Sequence, residues 1–160
     1  MSTLNSLEIV KGRSEDIYAT DEFITRAEFA AVAARFSNAE YNGEDKFSDI
    51  DGHWAQDYIN RAAELWWIVG ENGIFRPDDY ITRAETVTLV NRVLCREPEN
   101  TEDLLYEMKT WGDNSDTDAW YYTAIQEATN SHNYTMKKDG IHEKWISLRE
   151  GNIMTEAETE

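Results

Sequence analysis

The pentapeptide Ile24-Thr-Arg-Ala-Glu28 returns unchanged as Ile81-Thr-Arg-Ala-Glu85, a displacement of 57 residues from position 24 to position 81. Each copy has the form of a capping box. The hydroxyl of Thr25 or Thr82 accepts from the backbone N–H three residues on, and the carboxylate of Glu28 or Glu85 reaches back to the N–H of the threonine. Such a pair starts a helix and places Arg26 or Arg83 at its first position. Backbone N–H groups and the positive end of the helix dipole meet there, a setting that favours an anion. The competing role for either arginine is a surface ion pair in an acidic chain.

The elements that must position these residues follow from apolar spacing. After Thr82, the residues Ala84, Val87, Val90, Val93 and Leu94 form one stripe, and Ala27, Phe29, Val32, Ala33 and Phe36 do the same in the first copy. Upstream of the second copy, Trp54, Tyr58, Ile59, Ala62 and Trp66 fall at helical spacing and end at the turn-rich Gly70-Glu-Asn-Gly73. A second echo links Phe47-Ser-Asp-Ile-Asp-Gly-His-Trp54 with Trp111-Gly-Asp-Asn-Ser-Asp-Thr-Asp-Ala-Trp120. A capped helix whose apolar stripe cannot be buried within one unit implies repeats stacked on one another. The expectation is an all-α fold in which the helices starting at Ala27 and Ala84 meet, Val32 and Val90 are buried, and the Trp54 and Trp120 helices lie outside them.

Composition removes other classes of function. With 32 Asp and Glu against 15 Lys and Arg, the formal charge of the 160 residues is −17, which repels a phosphate backbone, and no basic patch offsets it. Nucleic acid is excluded as a partner, as is membrane insertion, since no apolar run approaches the length of a bilayer span. The N-terminal residues do not have the pattern of a secretory signal. Cys95, the single cysteine, allows no internal disulfide and reads as a small buried hydrophobe. His53, His132 and His142 lack the spacing of a zinc site, and Asp49-Ile-Asp-Gly52 and Asp113 to Asp118 lack the later ligands of a calcium loop, so neither metal nor cofactor is expected. Neither a nucleophile elbow nor a phosphate-binding loop is present. Among 32 acidic residues a pair of carboxylates at glycosidase separation arises by chance, which leaves a glycan-cleaving enzyme as a weak alternative.

Phe47-Ser-Asp-Ile-Asp-Gly-His-Trp54, then Ile68-Val-Gly70, Gly73-Ile-Phe-Arg-Pro77 and Ile81-Thr-Arg-Ala-Glu85, closely resemble the S-layer homology repeat of bacterial surface proteins. On that resemblance, residues 1–36 correspond to the later part of a first repeat, 37–46 to a linker, 47–95 to a complete repeat and 96–110 to a linker and helix. Residues 111–148 correspond to the divergent opening of a third repeat, followed by an acidic tail, 149–160. The first and last repeats are incomplete. The resemblance implies helix-loop-helix repeats packed around a pseudo-threefold axis. It also implies a cell-surface, non-catalytic anchor that binds an anionic, pyruvylated secondary cell-wall polysaccharide in grooves between repeats, with other surface-layer proteins as further partners. A protein-binding or self-assembly module is the alternative.

The site residues implied are Arg26 and Arg83, with arginine suited to the bidentate geometry of a ketal carboxylate. Trp54 and Trp120 would stack on sugar faces, and Asp49 and Asp113 would hold loops or accept sugar hydroxyls. Order along the chain pairs Arg26 with Asp49 and Trp54, and Arg83 with Asp113 and Trp120. Read as residues alone, both tryptophans open amphipathic helices and suit core anchors.

Overall fold

The computed structural model describes Ile9 and residues 19–149. The acidic tail, apart from Arg149, lies outside the described residues. The chain divides into two compact units, residues 1–93 and 94–160.

Unit 1 is built around α1 (Arg26–Ala34). Thr25, in extended backbone, caps it: Thr25 Oγ1 accepts from the Glu28 amide at 3.2 Å and Glu28 Oε2 accepts from the Thr25 amide at 2.8 Å. The buried face of α1 consists of Ala27, Ala30, Ala31, Ala33 and Ala34, and side chains this small let two neighbouring helices approach closely. Those neighbours are α2 (Gln56–Glu64) and α3 (Arg83–Val93). Ile59 and Ala62 of α2 and Leu89 of α3 close on α1, and Phe47, Ile50, Ala55, Ile68 and Phe75 complete the core. The rings of Phe47 and Phe75 stack at 5.3 Å. Between α2 and α3 the chain turns back through Glu71 and Ile74, whose backbones exchange two 2.9 Å hydrogen bonds around Asn72 and Gly73, both at positive φ. Gly70 precedes that turn, where a Cβ would lie 2.4 Å from the Ile74 carbonyl oxygen.

Only part of each apolar stripe lies on the buried face. Val32 is half-buried, and Val90 is 39% exposed. In α3 the residues that face inward are Thr88, Leu89 and Asn91, which turns Val90 outward. Trp54 lies before α2 and Trp66 beyond it. The end of α2 is a Schellman motif: Trp66 N–H donates to the Ala63 carbonyl at 3.0 Å and Trp67 N–H to the Ala62 carbonyl at 2.9 Å. Trp66 therefore takes φ +60°, a left-handed conformation that costs a residue with a Cβ roughly 1–2 kcal/mol.

Unit 2 overturns the all-α expectation. After a 3-10 turn (Thr101–Asp103) and α4 (Tyr122–Thr129), residues expected to open a third helical repeat form an antiparallel hairpin of β1 (His132–Met136) and β2 (Glu143–Leu148). The physical reason is local. His132-Asn-Tyr-Thr-Met136 and Trp145-Ile-Ser-Leu148 are rich in aromatic and β-branched residues, and Lys137-Lys-Asp-Gly140 between them is a turn. Gly140 sits at φ +70°, and Asp139 Oδ1 accepts from the amides of Ile141 and His142 at 2.9 and 3.0 Å. Among the described residues the three equivalent helical repeats that a pseudo-threefold axis requires are therefore not found. The helix expected to run through Lys109 is reduced to the 3-10 turn, capped by the Asn100 side chain. Cys95 is exposed at φ +53° just past α3, where the helix has ended and its stripe no longer buries it.

The inward alanine face gives an asymmetric prediction. Ala30→Leu should cost about 1–3 kcal/mol through overpacking, and Val90→Ala should stay within about 0.5 kcal/mol of wild type, both read by urea unfolding. Equal effects would contradict the placement of α3.

Candidate functional site

The two identical pentapeptides occupy different environments. At α1, the amides of Arg26 and Ala27 donate to the carbonyls of Asp79 and Pro77 at 2.8 and 2.9 Å, so this helix start is closed by the chain itself. The Arg26 side chain is equally engaged. It is 8% exposed, donates from Nε to the Phe75 carbonyl at 2.8 Å, forms an ion pair through Nη1 with Glu85, and lies over the Phe75 ring at 4.7 Å. Burial lowers its pKa against the opposing pull of Glu85.

At α3, Thr82 and Glu85 form the same reciprocal bonds, at 2.9 Å from the Thr82 amide and 3.2 Å from the Glu85 amide. Beyond them, the amides and side chain of Arg83 differ from those of Arg26. Arg83 is exposed, and among the described residues its guanidinium has no ion pair and its amide and that of Ala84 have no partner. Burial pushes the Glu85 carboxyl up, but the Thr82 bonds and the charges of Arg26 and Arg76 outweigh this and hold it below the usual range.

Asp49 holds a loop. Its two carboxylate oxygens accept from the amides of Phe75 and Arg76 at 2.9 and 2.7 Å, and these bonds overcome the effect of burial and lower its pKa. Asp49 and Arg26 thus meet on the same Phe75–Arg76 peptide, one on its N–H side and one on its C=O. Trp54 is 59% exposed beside His53, with ring centroids 5.6 Å apart, and His53 Nε2 lies 3.3 Å from Asp78. As a group of residues of unit 1, Arg26 and Asp49 are brought together, and Trp54 stands at the head of α2 as a surface ring rather than a core anchor. The second group is divided between the units, with Arg83 in unit 1 and Asp113 and Trp120 in unit 2. Trp120 is 63% exposed, edge-on to Tyr121. Asp113 is exposed and, among the described residues, holds no loop as Asp49 does.

Sequence reasoning missed Arg76. It is exposed, takes φ +60°, and spans Asp79 and Glu85 at 3.4 Å each. Its signal is its place between Phe75 and Pro77, inside the motif Gly73-Ile-Phe-Arg-Pro77 that carries the family resemblance.

Unit 2 holds a buried ionic cluster that sequence spacing concealed. His132, Glu127 and Glu143 are all buried, with His132 Nε2 2.9 Å from Glu143 and 3.2 Å from Glu127. Arg96 reaches both carboxylates, at 2.8 Å to Glu127 and 2.9 Å to Glu143, and Trp145 stacks on His132 at 4.0 Å while donating to Glu127 at 2.9 Å. The three donors Glu127, His132 and Glu143 lie close enough to hold a metal ion, but the Arg96 guanidinium already sits against them, so a metal would have to displace it. Two buried carboxylates against one guanidinium leave one negative charge, which one proton bound within the group Glu127, His132 and Glu143 would neutralise. Burial, then the bond with Glu143, pushes the Glu127 carboxyl up to about 8. Bonds from Glu127, His132 and Arg96 overcome burial and keep Glu143 low.

Comparison with known proteins now decides the family. Residues 1–30 and 46–87 match the model of the S-layer homology domain. Over those residues the chain belongs to that family. It is 31% identical over 156 residues to "Cell surface glycoprotein 1" of Acetivibrio thermocellus, covering 89% of this chain and 6% of that protein. It is 35% identical over 136 residues to the "Cellulosome-anchoring protein" of the same organism, covering 81% of this chain and 29% of that protein. It also matches "Endo-1,4-beta-xylanase A" of Thermoanaerobacterium saccharolyticum, 37% identical over 89 residues, covering 53% of this chain and 8% of that protein. The chain thus spans less than a third of the length of these relatives. S-layer homology sequence is a non-catalytic cell-surface anchoring module, and it places the chain at the cell surface in association with the cell wall.

Two predictions follow from this geometry. Arg26→Ala should destabilise unit 1 by about 3 kcal/mol, because it strips a buried partner from Glu85 and the Phe75 carbonyl, whereas Arg83→Ala should change stability by less than about 0.5 kcal/mol. Equal losses in urea unfolding would show that the two arginines are equivalent. In unit 2, a Glu127 carboxyl raised from its unfolded value of 4.5 to about 8 binds its proton more tightly when folded, so its contribution is full at low pH and is lost as pH rises. Thermal midpoints of unit 2 should therefore fall between about pH 5 and about pH 8, and Glu127→Gln should flatten that fall. An identical slope in the variant would place the proton elsewhere.

Proposed function

We propose that this module fastens its parent protein to the wall by binding an anionic secondary cell-wall polysaccharide, and that Arg83 supplies the first contact with a carboxylate such as a pyruvate ketal. The observation that carries this reading is the open start of α3, where an exposed arginine stands beside two amides, all without a partner among the described residues, in a chain of charge −17. A global field of that sign opposes an anionic polymer, so affinity must come from a few fixed local donors. Arg76 adds a second cation on the loop that Asp49 orders, and Trp54 offers an exposed ring five residues after Asp49. Arg26, closed into the core, supports the site by holding that loop. The enzymes among the relatives share only a small fraction of their length with this chain, which supports the view that the segment is joined to different activities as an anchor.

The test is binding to isolated wall sacculi before and after chemical removal of the secondary polymer. Arg83→Ala should weaken binding to intact sacculi by about 1–3 kcal/mol, the scale of a lost charged hydrogen bond, with unchanged circular dichroism, and Arg83→Lys should restore it only in part. Undiminished binding by Arg83→Ala, or equal binding to stripped sacculi, would contradict the proposal.

A further inference from the structure

Trp66 occupies the one position of the Schellman motif that glycine fills at no steric cost, and it does so without burying its side chain. Trp66 is 79% exposed, whereas the adjacent Trp67 packs against the core. Among the described residues the Trp66 indole makes no hydrogen bond and no ring contact. The fold gains nothing visible from tryptophan here and accepts a left-handed backbone to keep it, φ +60°. A strained backbone under a side chain that makes no internal hydrogen bond or ring contact is an outlier that points to a role outside the fold.

We infer that Trp66 is a stacking platform for a sugar ring of the wall polymer, separate from the carboxylate contact at Arg83. This rests on the polysaccharide-binding reading above. The chemistry favours a pyranose over a protein surface. A protein interface of ordinary size needs about 800 Å² per partner with a contiguous apolar centre, whereas a pyranose needs one ring face for its axial C–H groups and a few polar neighbours. Glu64, two residues earlier at the end of α2, is exposed and pairs with Lys46 at 2.7 Å, which puts an acceptor and a donor for hydroxyls at the same helix end.

The experiment opposes stability and binding in one variant. Trp66→Gly should raise the thermal midpoint by about 2 °C, because the strained position is relieved and little burial is lost, yet bind intact sacculi about fivefold more weakly. Trp66→Phe should bind within about twofold of wild type, since a ring face remains. Arg83→Ala is measured in parallel. If wild type itself fails to bind intact sacculi, the polysaccharide reading has failed along with this one. If wild type binds and Arg83→Ala is impaired while Trp66→Gly binds normally, only the platform is overturned. A lowered midpoint in Trp66→Gly would show that the ring packs on the fold, and altered self-association with unchanged sacculus binding would show a protein partner instead. Either result overturns the inference.

Discussion

The peptide between Phe75 and Arg76 is gripped on both sides, by the Asp49 carboxylate, which accepts from its Arg76 N–H and from the preceding Phe75 N–H, and by the Arg26 guanidinium on the Phe75 carbonyl. Most of unit 1 depends on this grip. It fixes the loop that delivers Pro77 and Asp79 to the start of α1, where their carbonyls take the orphan amides of the helix. It seats the Phe75 ring against Phe47 in the core, and it sets Glu85 where the first turn of α3 can neutralise Arg26. A buried arginine is costly unless its donors are satisfied, and here a carbonyl, a carboxylate and a ring face satisfy them. The capping glutamate of α3 therefore has two duties, closing its own helix and neutralising a charge in the core.

That double duty separates two arginines that are indistinguishable in the sequence. The repeat, the two capping boxes and the S-layer homology relationship were all legible, because each depends on residues within a few positions of one another or on motifs in a recognisable order. The distinction between Arg26 and Arg83 was not, because it is made by contacts 49 and 59 residues away, from Arg26 to Phe75 and to Glu85. The same limit explains Val90. Apolar periodicity marks a stripe, but which edge of it turns inward depends on the partner, and an alanine face admits Leu89 with Thr88 and Asn91 and leaves Val90 outside.

Unit 2 shows the opposite failing, since its hairpin was signalled locally. Aromatic and β-branched residues on either side of Asp139-Gly140 mark two strands and a turn, in a segment where the family resemblance implies a third helical repeat. The cluster behind the hairpin was not legible at all. Arg96, Glu127, His132 and Glu143 are scattered along the sequence, and only the pairing of β1 with β2 and the placement of α4 bring them together.

The account of unit 1 comes down to whether the grip on Phe75–Arg76 holds in solution. Native-state amide hydrogen exchange followed by NMR reads it at the two amides concerned. If Asp49 and Arg26 clamp this peptide, the amides of Phe75 and Arg76 will exchange as slowly as the central amides of α1, although Arg76 itself lies on the surface. Exchange of both at the rate of an unstructured chain, with α1 still protected, would contradict the account.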